Sequence, residues 1–251
     1  ILINNGGVSQ RASAAETTME VNRQLMEVNF FGNVALAKAV LPIFRKQGSG
    51  QFLIVSSIAG KFGFHLRSIY SASKAAAELV VASLATTCNP HKIPVTTVRA
   101  GNVIGGGDWS EDRILPDAVR AWGDGQKLEV RNPEATRPWQ HVLDCLDGYQ
   151  KLLKEMLESG ISGQWNFGPT LDKKYSVSEL VESFAKSWGV VGNEQPWNLA
   201  INVQPHEAGY LLLDSSKARE TLGWNDKLDF ELAIGMTVEW FKKIDTESPR
   251  E

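Results

Sequence analysis

Tyr70 and Lys74, in the run Tyr-Ser-Ala-Ser-Lys, are four residues apart, and their types and spacing could do chemistry. Four residues is close to one helical turn, so on a helix both side chains leave the same face within reach of each other. A phenol ordinarily titrates near pH 10 and is a poor base at neutrality; an ammonium within about 4 to 6 Å stabilises the phenolate and lowers that value. A fall of about three units corresponds to roughly 4 kcal/mol. Such a pair can move a proton on and off a hydroxyl or carbonyl oxygen. Ser57, thirteen residues before Tyr70, could hydrogen-bond the same oxygen. Each residue also has an ordinary structural reading, the pair as an amphipathic face and the serine as a strand-end cap.

These side chains need a scaffold. Ile1 to Asn4 reads as a short buried strand stopped by the turn Asn4-Asn5-Gly6-Gly7. From Met19 to Lys46 the apolar residues fall at helical spacing, and Pro42 is expected to kink or end a turn. Gln51 to Ser57 reads as a strand, Ser68 to Leu84 as a helix and Val95 to Val98 as a third strand. The alternation β, α, β, α, β predicts an α/β fold, a parallel sheet with helices on its faces. Ser57 then lies at the C-terminal end of a strand, where ligands of open α/β sheets bind.

After Arg99 the texture turns to glycine and proline punctuation, with Gly101, Gly105-Gly106-Gly107 and Pro116, the last opening a helix over Asp117 to Trp122. Further helices are predicted over Val142 to Leu157, after a Ser176/Glu179 capping pair, and from Asp229 to Lys243. Strand-like pieces at Leu128 to Arg131, Gln164 to Phe167, Leu199 to Val203 and Leu211 to Leu213 separate them. The boundary falls near residue 100. Residues 1–100 form one α/β domain, and residues 101–251 form mainly a smaller α/β lobe with some segments returning to the first sheet.

The 26 Lys and Arg against 29 Asp and Glu give a net charge of −3 without a basic block, so neither a nucleic acid nor an anionic membrane surface is an expected partner. Cys88 and Cys145 lack metal-ligand spacing, which predicts no disulfide framework and no metal, and fits a reducing, cytoplasmic setting. No apolar run reaches the roughly 18 residues that a membrane span needs.

With the Asn-Asn-Gly-Gly turn, the strand ending at Ser57 and the Tyr-x-x-x-Lys helix in place, residues 1–74 resemble the single-domain short-chain dehydrogenases/reductases. The resemblance implies a Rossmann-type sheet, NAD or NADP as cofactor, and Ser57, Tyr70 and Lys74 as catalytic residues. Asn29, in Met-Glu-Val-Asn-Phe-Phe-Gly, matches the asparagine of that family's proton relay. Asn4, Asn5 and Gly6 match cofactor contacts, as do Tyr70 and Lys74.

Residues 70–241 are similar to another branch of the superfamily, the two-lobed enzymes of sugar nucleotides, and CDP-glucose 4,6-dehydratases in particular. The similarity is carried by Val98 to Trp109, Arg137-Pro138-Trp139-Gln140-His141-Val142, Trp165 to Pro169, and Pro205-His206-Glu207-Ala208. It implies a nucleotide-sugar substrate held by Asn102, Arg137 and His206, and a homodimer paired through the helices around Met26 to Phe44 and Ser68 to Leu84. Arg137 offers a fixed fork of donors and the glycines a backbone turn, both suited to a diphosphate. Two departures qualify the expectation. Ile58 and Ala59 stand where the dehydratases carry the acid and base of elimination. No Gly-x-Gly-x-x-Gly follows a strand either, so a cradle for the cofactor pyrophosphate is not expected here, and about 80 to 90 residues of the family's fold, at about 30 per βαβ unit, are expected to be missing. Three functions stay open: redox chemistry at C4 of a nucleotide sugar, a simple carbonyl reductase or alcohol dehydrogenase, and a non-catalytic chain that at most binds a nucleotide sugar.

Overall fold

A computed structural model describes residues 1–172, 174–190, 195–201 and 209–247. In chain order the first half forms β1 (Leu2–Asn4), α1 (Met19–Met26), α2 (Gly32–Gln47), β2 (Phe52–Val55), α3 (Ser68–Cys88), β3 (Val95–Ala100), β4 (Asn102–Ile104) and α4 (Ile114–Gly123). Then come β5 (Leu128–Val130), β6 (Thr136–Arg137), β7 (Trp139–His141), α5 (Val142–Ser159), β8 (Gly163–Phe167), β9 (Tyr175–Ser176), α6 (Val177–Trp188), β10 (Trp197–Leu199), α7 (Ser216–Leu222) and α8 (Phe230–Glu247). The chain divides into two compact units. One comprises Ile1–Ala100, Gly148–Phe167 and Ser216–Trp224, the other Gly101–Asp147, Gly168–Ser215 and Asn225–Glu251.

The first unit is built on a parallel sheet in the order β1-β2-β3-β8. Successive side chains of a strand point to opposite faces, and the apolar run of β2 fills both. Phe52 and Ile54 pack with Phe44, Val81 and Val95 under α2 and α3. Leu53 packs with Val98, Leu152, Trp165 and Trp224 under α5 and α7. Helices thus cover both faces, and each large side chain fully removed from water contributes about 1.5–3 kcal/mol.

The second unit joins α4, α6 and α8 around Leu115, Val119, Leu180, Phe184, Ile234 and Phe241. Its strands form three short ribbons: β4 with β7 and β5 with β10, both parallel, and β6 with β9, antiparallel. Ser176 caps α6 in a reciprocal capping box with Glu179, and Asp229 Oδ1 accepts from the Leu232 amide at the start of α8.

Several expectations need correcting. The helix read over Met19 to Lys46 is interrupted by a one-turn π-bulge at Glu27–Phe31, and it runs on through Pro42. Together these segments make a 29-residue helical stretch, Met19–Gln47, long and apolar enough by length and composition to cross a membrane. A count of uninterrupted apolar residues overlooks it because isolated polar residues divide the stretch. Leu211 to Leu213 forms no strand; beside it Tyr210 makes a single bridge to Thr136. The strand read over Leu199 to Val203 extends past the described residues; β10 ends at Leu199.

Candidate active site

Helix α3 positions the central pair. Its alanines and leucines favour the helix, and its charged residues, Lys74 and Glu78, are buried at 6% and 4% exposure. The Lys74 ammonium lies 6.0 Å from the centroid of the half-buried Tyr70 ring, and the Arg67 guanidinium carbon also lies 6.0 Å from it. Lys74 Nζ donates to the Val55 carbonyl at the end of β2, 3.1 Å away. Burial disfavours its charge and holds its pKa below that of an ordinary lysine.

Asn29 sits in the π-bulge with no exposure. Its side chain grips the backbone of Val8 from both sides, accepting from the amide at 2.8 Å and donating to the carbonyl at 2.9 Å. It also donates to Ser73 Oγ at 3.0 Å, and that hydroxyl donates to the Tyr70 carbonyl at 2.8 Å. The bulge leaves the Asn29 carbonyl to the Asn33 side chain, 2.6 Å away. Asn29 thereby fixes the turn after β1 against α3. A Cβ on Gly7 would lie 3.3 Å from both Asn29 Oδ1 and Lys74 Nζ, so the turn passes close to both. Asn5 and Gly6 are exposed; Asn4 is buried, and its Oδ1 has no hydrogen-bond partner.

Ser57 follows β2, and its Oγ accepts from the Ala59 amide at 3.1 Å, capping the short 3₁₀ turn Ile58–Gly60. That cap occupies one lone pair and leaves the hydroxyl proton available. Ile58 and Ala59 lie within the turn. Gly60 rests on α3, where an added Cβ would come 3.1 Å from the Lys74 carbonyl carbon.

Sequence reasoning did not find the group beside this pair. Glu78 Oε1 takes Arg99 Nε at 2.6 Å and Ser56 Oγ at 2.7 Å, while Oε2 pairs with Lys61 Nζ at 2.9 Å. Arg99, 5% exposed, also donates to Gln164 Oε1 at 2.8 Å and to Asn166 Oδ1 at 3.1 Å. Burial works to raise the Glu78 pKa, but the hydrogen bonds from Arg99, Lys61 and Ser56 outweigh it and hold the carboxyl below its usual range. The available signal was that α3 carries two charges only, at positions whose neighbours are apolar or small.

In the second unit, Asn102 opens β4 opposite Trp139 of β7, and its amide donates to the Pro138 carbonyl at 2.9 Å. Arg137 lies half-buried on β6 with Nη1 2.9 Å from the Thr136 carbonyl. The glycines have packing reasons of their own. A Cβ on Gly101 would strike the Pro138 carbonyl oxygen at 2.4 Å, and one on Gly106 would fall 2.1 Å from the Trp240 indole. His141 is buried, its Nδ1 accepts from the Leu143 amide at 3.2 Å, and burial lowers its pKa against the opposing charge of Asp144. His206 lies outside the described residues. Among the described residues no cluster of His, Cys, Asp or Glu is placed to hold a metal ion, and Cys88 and Cys145 are buried free thiols.

Residues 1–108 match the short chain dehydrogenase family. The chain is 40% identical over 181 residues to the CDP-glucose 4,6-dehydratase of Salmonella typhimurium, covering 69% of this chain and 50% of that protein. It is 34% identical over 162 residues to dehydrogenase/reductase SDR family member 7B of Xenopus laevis, covering 64% of this chain and 48% of that one. The chain thus spans about half the length of these curated relatives. A dTDP-glucose 4,6-dehydratase from Bacillus anthracis, solved with NAD, superposes with a TM-score of 0.71 at 21% identity over 98% of this chain and 73% of that one. This likeness establishes the fold as Rossmann-like α/β.

Proposed function

We propose that this chain, whose residues 1–108 match the short chain dehydrogenase family, derives from an NAD-linked sugar-nucleotide enzyme of that family that oxidises or reduces C4 of a CDP-sugar. The observation that carries the proposal is the Tyr70–Lys74 pair on one face of α3, with the Lys74 ammonium 6.0 Å from the phenol ring and bound to the carbonyl that ends β2. Tyr70 exchanges the proton of the sugar hydroxyl. Lys74 stabilises the negative charge that builds on the phenol oxygen, and Ser57 directs its free O–H to the substrate oxygen. Asn29 holds the turn that closes over Lys74.

NAD, when bound, supplies the hydride acceptor, with NADP as the alternative. The residues present fit one end of such a cofactor: the orphaned Oδ1 of Asn4, the open turn at Asn5 and Gly6, and the unspent donors of Lys74 are polar groups awaiting a partner. We assign no residue to the pyrophosphate. Asn102, Arg137 and His206 are proposed for the nucleotide diphosphate. Ile58 and Ala59 cannot transfer protons, and assistance by each missing acid or base is worth about 10²–10⁴ in rate, so the proposed chemistry is redox rather than elimination. The identity to the SDR family member 7B protein favours a second reading, a simple carbonyl reductase or alcohol dehydrogenase. We place the chain in the cytoplasm as a homodimer.

Calorimetric titration with CDP-glucose is the test. Binding by the wild-type chain that is lost in Arg137→Ala supports the sugar-nucleotide reading. Turnover of small alcohols without CDP-glucose binding selects the reductase, and absence of both leaves a non-catalytic chain.

A further inference from the structure

Lys74 and Glu78 are one helical turn apart, a spacing that ordinarily closes an ion pair. Both are buried, where such attraction is stronger than at a surface. Yet no ion pair joins them: the Glu78 carboxylate is taken by Arg99, Ser56 and Lys61, while Lys74 donates to the neutral Val55 carbonyl. Arg99 is itself held on its remaining nitrogens by Gln164 and Asn166 of β8, so the guanidinium is a fixed clamp. A buried ion pair is weak evidence of stability, because desolvating both charges offsets much of their attraction. Its value here is where it puts the carboxylate.

We propose that Arg99 is a positioning residue for Lys74: by clamping Glu78 toward β3, it prevents the carboxylate from neutralising the Lys74 ammonium and leaves the ammonium's donors for oxygen ligands at the strand ends. The proposal rests on the reading of Lys74 as the working ammonium of the site. The charged and titratable groups around Lys74 are Tyr70 and Glu78 on its own helix, with Lys61 from the turn after β2 and Arg99 from β3 acting through Glu78. Burial lowers the pKa of Lys74.

The experiment is the titration of the Lys74 side chain, followed by NMR of ¹³Cε-labelled lysine in the whole chain without cofactor or substrate. Arg99→Met frees Glu78, and the Lys74 pKa rises by about one unit or more, as expected for an opposite charge brought within 4–6 Å. The double variant Arg99→Met/Glu78→Gln returns it to the wild-type value. An unchanged titration in Arg99→Met overturns the proposal, as does a rise that persists in the double variant. Should Arg99→Met fail to fold, Lys61→Met at the half-exposed end of the clamp carries the test: a smaller rise supports the proposal and no rise overturns it. Because the readout needs no turnover, an inactive chain would count against the redox reading alone.

Discussion

At the scale of single residues, the groups proposed to touch substrate differ from the groups that hold them in place. Tyr70→Phe keeps the ring and removes the proposed proton carrier, so any NAD-linked rate should fall by about 10²–10⁴, measured as initial velocity; a loss below tenfold would show that another group moves the proton. Glu78 makes a prediction about pH. Its folded pKa lies below the 4.5 of an ordinary glutamate, so on acidification the unfolded chain takes up this proton first. The stabilisation is therefore complete above about pH 4.5 and is lost as pH falls through the lower folded value. Urea midpoints of Glu78→Gln should depend less steeply on pH below 4.5 than those of the wild type; parallel profiles would contradict the assignment. The placement of Tyr70 and Lys74 one turn apart on a helix was legible in the sequence because four-residue spacing is a local signal. The Glu78–Arg99 clamp was not, since its partners are 21 residues apart and meet only once β2, β3 and α3 are assembled.

At the scale of elements, close packing overrides local propensity. Gly148 lies within α5, where alanine is the better helix former by about 1 kcal/mol, but a Cβ there would stand 2.4 Å from the Phe167 ring and 3.0 Å from Trp224 Nε1. Overpacking of that kind costs about 1–3 kcal/mol. Gly148→Ala should therefore lower the thermal midpoint, and a raised midpoint would show that Phe167 yields freely. Asn29→Ala removes both bonds to Val8, so exchange of the Val8 amide should accelerate relative to β2 amides in hydrogen-exchange measurements. Equal protection would show that the turn is held by something else. The strand-helix alternation of the first hundred residues was readable because β2 is apolar on both faces and α3 is rich in alanine. The π-bulge was not, because a single π turn at Glu27–Phe31 is too short to leave a mark on the apolar spacing of the helices on either side. Pro42 misled for a physical reason: it is exposed on α2, and the helix absorbs the missing amide bond. The leucines at 211 to 213 look like a strand, yet the chain beside them bridges Thr136 at one point.

At the scale of the whole molecule, Val28, Phe31, Leu36 and Ile43 are exposed along the stretch from α1 through α2, and Leu79 is 74% exposed on α3. The outward face of α3 carries no charge, since Lys74 and Glu78 both point inward. Such a surface suits the proposed homodimer. Light scattering should give twice the chain mass, and Leu79→Lys should return it to one; a wild-type monomer would contradict the pairing. The central claim is hydride chemistry driven by Tyr70 and Lys74 on a CDP-sugar. Its most direct test is the absorbance of reduced nicotinamide after mixing the chain with NAD and CDP-glucose at saturating concentrations. The account predicts growth of that band in the wild-type chain and its loss in Tyr70→Phe; a wild-type chain that binds both ligands and shows no band, or a Tyr70→Phe chain that shows an equal one, would contradict it.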